Sequence, residues 1–134
     1  MTRHAKGTFD VTMSPQPAQD GVGDPSVGRM AIDKQFHGDL EGTGKGQMLA
    51  VGTAVDGSAG YVAMERVQGT LLGRQGSFAL QHNGTMNRGT PQLSITIVPD
   101  SGTEALGGIA GKLEITITNG VHAYDLHYTL PDLP

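Results

Sequence analysis

Two residues in the middle of the chain are of the types that move protons, Glu65 and His82. A carboxylate and an imidazole held in contact can act as a general acid and base, or polarise the polar end of a bound molecule. They can do either only if both side chains face one interior. In a strand, residues of equal parity share a face. Val67 and Leu71 have the parity of Glu65, and Phe78 and Leu80 that of His82. Both candidate catalytic residues therefore fall on apolar faces. The same placement also fits a structural hydrogen-bonded pair that fills a barrel.

A turn within Gly73 to Gly76 predicts how the two strands meet. A loop of two or of four residues gives one pairing, Leu72 with Ser77. Counting back puts Val67 opposite His82 and Glu65 opposite Gly84, which makes Glu65 and His82 diagonal neighbours within reach of long side chains. A bulge between Val67 and Leu80 would break that register. A buried carboxylate without a partner is costly, so the two are expected to interact directly or through one water.

Eight further residues are candidate ligand contacts. Lys34 shares a face with Met30, Ile32 and Phe36, where it can neutralise Glu65, bind an anion, or snorkel out at a barrel mouth. Tyr61, Tyr124 and Tyr128 carry hydroxyls on apolar faces, suited to orienting a carbonyl or to core packing with a satisfied hydroxyl. Phe78 lies on the face of Val67 and Leu80. Met86 and Arg88 follow the fifth strand at an expected rim, where Arg88 can clamp a carboxylate or stay solvated.

Other chemistries find little support. His37 and Asp39 flank Gly38 on one strand face, but zinc needs a third and a fourth ligand nearby, so no metal is expected. Gly38 to Lys45 has a phosphate-loop look, one residue too long, with Gly46 where Ser or Thr should hold magnesium. Gly-x-Ser-x-Gly is missing, and cysteine is absent. No cofactor is expected.

Strands must position these residues, because period-two alternation is everywhere and helical periodicity nearly absent. The pattern predicts strands at 6–13, 29–40, 46–55, 61–72, 77–86, 92–98, 112–118 and 121–130. A Pro/Gly/Asp-rich loop spans 16–26, and one helical turn fits within 103–109. Asn119-Gly120 fits a type I′ turn that pairs Thr118 with Val121. That register puts Leu113, Ile115 and Ile117 inside with His122, Tyr124 and Leu126, and turns Lys112, Glu114, Thr116, Asp125 and His127 outward. About eight short strands without covering helices point to an all-β, closed antiparallel eight-stranded barrel.

Several stretches carry a resemblance: 32–40 (IDKQFHGDL), 60–66 (GYVAMER), 78–86 (FALQHNGTM) and the run from Val98 to Gly111. From about Phe9 to Leu130 the chain resembles a bacterial family of unknown function with an allene-oxide-cyclase-like barrel. The resemblance implies eight strands around a central cavity and assigns no catalytic residue. The wider barrel class includes cyclisation enzymes that enclose an apolar polyene.

The 134 residues fit one domain, 1–134, large enough for a core without disulfides. A net charge of −4 and a pI of about 5.6 argue against nucleic acid, as do aromatic residues at only 4%. No signal peptide and no membrane-spanning apolar run is visible, so a cytoplasmic location is expected. The leading reading is a barrel that binds a small, largely apolar molecule, with isomerase or cyclase chemistry. A non-catalytic carrier and a structural, dimerising domain are the alternatives, and a homo-oligomer stays open.

Overall fold

The computed structural model describes residues 2–131. Its strands are β1 (Arg3–Gln16), β2 (Gly28–Gly38), β3 (Leu40–Gly52), β4 (Ala59–Leu71), β5 (Arg74–Asn87), β6 (Thr90–Ile97), β7 (Ala110–Thr118) and β8 (Val121–Thr129). One turn of 3-10 helix, Glu104–Leu106, lies between β6 and β7. Every strand pairs antiparallel with its neighbours in sequence, and β1 pairs with β8, which closes the barrel. The expected architecture is the observed one. No helix among the described residues is long and apolar enough to cross a membrane.

The two ends of the barrel differ. At one end the inward residues form a packed core that includes Phe36, Leu40, Val67, Leu71, Phe78, Leu80, Leu126 and Tyr128. The segment between β6 and β7 plugs this end with Leu106 and Ile109, both buried. At the other end stand the long 17–27 loop and the β3–β4, β5–β6 and β7–β8 turns. Inward-facing Met13, Met86, Leu93 and Ile117 are exposed here, Ile117 at 63%. The barrel is thus a filled lower half beneath an open apolar cup.

The β7–β8 hairpin has the expected register, with Thr118 opposite Val121, Ile115 opposite Tyr124 and Leu113 opposite Leu126. The β4–β5 hairpin needs a correction. Its turn is Leu72-Gly73, so Leu71 pairs with Arg74, Val67 with Phe78, Glu65 with Leu80 and Ala63 with His82. Leu72 and Gly73 both have positive φ, 46° and 85°, the signature of a type I′ turn. Leucine is a poor residue for that conformation, which hides the turn from a propensity reading. The displacement preserves parity, so every side chain keeps its expected face. No bulge interrupts the pairing.

The third strand also differs. It begins at Leu40 rather than Gly46, so the glycine-rich segment Gly42-Thr43-Gly44-Lys45-Gly46 is paired sheet and not loop. Tight packing from both neighbouring strands sets this composition. A Cβ on Gly46 would stand 1.9 Å from the Met64 carbonyl oxygen.

Candidate functional site

Glu65 on β4 and His82 on β5 project into the barrel and touch. His82 Nε2 lies 2.6 Å from Glu65 Oε1. Lys34, from β2, donates to the same oxygen at 2.7 Å. All three are buried, at 2% exposure for Glu65, 4% for His82 and 8% for Lys34. The expected diagonal relation therefore holds, but on the other diagonal, because Glu65 faces Leu80 and His82 faces Ala63.

Lys34 reaches Glu65 across a whole intervening strand. Its β3 partner is Gly44, and Glu65's is Gly46. Two strand spacings are about 9.5 Å; a long lysine can cover that only if the strand between presents no side chain. Gly44 meets the requirement, since a Cβ there would lie 2.3 Å from Glu65 Oε2 and 3.0 Å from Phe36 Cε2. The glycine stripe that looks like a phosphate loop in sequence is instead the floor over which the ion pair forms. The Lys34 ammonium also stands over two aromatic rings, 4.9 Å from the Phe9 centroid and 5.9 Å from that of Phe36, a favourable cation–π placement. Phe9 and Gly44 were not singled out in the sequence; the inward parity that Phe9 shares with Ala5 was the available signal.

The electrostatics follow from these contacts. Burial pushes the Glu65 carboxyl up, but hydrogen bonds from His82 and Lys34 and their charges outweigh it, and the net shift is down from 4.5. Glu65 is therefore a carboxylate near neutrality. That makes His82 Nε2 a proton donor to Oε1, which leaves Nδ1 with the lone pair in the neutral ring. Glu65 Oε2 is buried without a hydrogen-bond partner among the described residues.

The other candidate contacts divide between the two halves. Tyr61 and Met86 face the cup. The Tyr61 ring lies against Gly84, where a Cβ would be 2.4 Å from its Cε1, and partial burial raises its phenol pKa. Phe36, Phe78, Tyr124 and Tyr128 belong to the packed core. The Tyr124 hydroxyl donates to a backbone carbonyl, His37 O at 3.0 Å or Leu40 O at 3.2 Å, and accepts from Leu40 N at 2.9 Å. It is a structural clamp on the β2–β3 corner. Arg88 is exposed in the β5–β6 turn with φ of 49°, outside the barrel. His37 and Asp39 do not combine as ligands: His37 contacts Asp10 at 3.0 Å, and Asp39 accepts from the Lys6 backbone N–H at 2.9 Å.

These features define a closed eight-stranded antiparallel barrel with a buried lysine–glutamate–histidine cluster at the floor of an apolar cup. The chain belongs to the family described as protein of unknown function (DUF3224), whose model matches residues 5–128. It is similar to a solved structure of a protein of unknown function from that family in Shewanella oneidensis MR-1. The two are 45% identical, with a TM-score of 0.89 over 98% of this chain and 100% of that chain. No match was found among curated proteins.

Proposed function

We propose that the cup binds a small, largely apolar molecule and presents its polar end to Lys34, Glu65 and His82, in chemistry of the isomerase or cyclase type. One observation carries this reading. Three ionisable side chains are buried on the inner wall at the level where packed core gives way to half-exposed methionine, leucine and isoleucine. Burying charge is expensive, and a purely structural barrel fills that layer with aliphatic residues at lower cost. Four of the six methionines, Met13, Met30, Met48 and Met86, have inward parity at the open end. Methionine suits a wall that must fit an irregular apolar ligand.

The residues take distinct roles. Glu65 holds His82 in the tautomer whose Nδ1 can accept a proton. Lys34 supplies positive charge for an oxygen that gains negative charge as the proton leaves. The apolar wall excludes water and fixes the substrate's conformation. An allene-oxide-cyclase-like class of barrel, a small apolar partner and a cytoplasmic location are parts of this proposal. A structural reading of the ion cluster is favoured by one fact, the complete filling of the lower half.

Native mass spectrometry of freshly purified protein is the direct test. We expect an adduct of a few hundred daltons that His82→Ala loses while remaining folded. Adduct-free spectra, together with no thermal shift from a panel of lipophilic carbonyl compounds, would overturn the binding reading.

A further inference from the structure

We propose that the outer wall of the barrel carries a zinc-class metal site formed by His4, Asp125 and His127, with water completing the coordination and Glu114 bordering it. The barrel closure creates it. His4 of β1 sits directly opposite His127 of β8, and Asp125 of β8 sits opposite Glu114 of β7. All these side chains have outward parity, so three strands deliver two imidazoles and two carboxylates to one patch. The ligand atoms of His4, Asp125 and His127 lie within 4.8 Å of one another.

The distances suit a coordination polyhedron, although His4 and Asp125 are also within hydrogen-bond distance of each other. Zinc bonds of about 2.0–2.1 Å in a tetrahedron place ligand atoms about 3.3 Å apart. His4 Nδ1 is 3.1 Å from Asp125 Oδ1. His127 Nε2 is 3.5 Å from Asp125 Oδ2 and 3.6 Å from Glu114 Oε2. The last two separations are beyond good hydrogen bonding, and His127 Nε2 is buried with no hydrogen-bond partner among the described residues. A nitrogen so placed between two carboxylates offers its lone pair to a cation once the cation displaces its proton. The mixed imidazole and carboxylate set selects zinc over magnesium or calcium, which prefer oxygen alone.

Two cations border the patch. Lys112 is paired with His127 in register, and Lys6 Nζ is 3.9 Å from Asp125 Oδ2. Lys6 is well exposed and competes with a metal for that carboxylate. The site is independent of the interior cluster, so its test does not depend on any ligand of the cup.

The experiment is calorimetric titration of Zn2+ into chelator-treated protein, with Co2+ absorption as a second readout. We expect one equivalent per chain, a tetrahedral cobalt spectrum, and a melting temperature that rises with zinc. His127→Ala and Asp125→Asn should each weaken binding by more than about a hundredfold, the upper range for losing even an outer-shell partner. Lys6→Met should tighten binding, because the competing ammonium is gone. His37→Ala, which removes a different surface histidine, should change nothing. Absence of saturable binding overturns the proposal. So does equal weakening by His37→Ala, or a cobalt spectrum that Asp125→Asn leaves unaltered.

Discussion

Glu65 Oε1 receives both Lys34 and His82, while Oε2 receives nothing. This lopsided sharing concentrates the stabilisation of the carboxylate on one oxygen and ties three strands to it. Removing the charge should therefore be felt in stability as well as chemistry. Glu65→Gln strands a buried lysine, and the loss expected for breaking a buried pair is about 3–5 kcal/mol, measured by urea unfolding near neutral pH. The pH dependence has a definite sign. The folded carboxyl titrates below its ordinary 4.5, so its contribution is fully present above that value. It is lost as pH falls from 4.5 through the lowered folded value. The acid limb of the stability curve should be shallower in Glu65→Gln than in the parent chain. Parallel limbs would mean that the cluster does not control acid unfolding.

At the scale of elements, β3 and the β4–β5 turn decide what the site looks like. β3 gives up side chains at Gly44 and Gly46 so that its neighbours can meet above it. The turn spends conformational energy at Leu72, a half-exposed leucine in the left-handed region. Relief of that strain is measurable: Leu72→Asn should raise stability by about 1 kcal/mol, roughly 4 °C in Tm for a chain of this size. An unchanged or lower Tm would show that the Leu72 side chain contributes contacts that offset its backbone. The same two elements mark where sequence reading succeeded and where it stopped. Glu65 and His82 were legible as interior neighbours because face depends only on parity, which survives a displaced turn. The turn itself was not, because nothing about leucine advertises positive φ. The Lys34 contact was visible only as an option, since reaching across a strand depends on what that strand omits. His4 lies 121 residues from Asp125, a pairing that exists only once β1 closes on β8.

The whole barrel is not equally closed around its circumference. β4 pairs with β3 and β5 along its full length, from Ala59 to Leu71. β6 and β7 share a single registered pair, Thr96 with Lys112, close to the plugged end. Continuing that pairing would bring Ser94 to Glu114 and Gln92 to Thr116, but the two hairpin tips part instead. Leu93 and Ile117 flank the gap with exposed apolar side chains. The β6–β7 ladder is therefore the shortest in the barrel. It leaves backbone donors on β7 without sheet partners on the β6 side. Amide hydrogen exchange resolves this residue by residue. Along 113–118 alternate amides should exchange fast, those aimed at β6, while those between them are protected by β8. The β4 amides should be slow throughout, being flanked on both sides. Uniform protection along β7 would mean that the seam zips shut in solution.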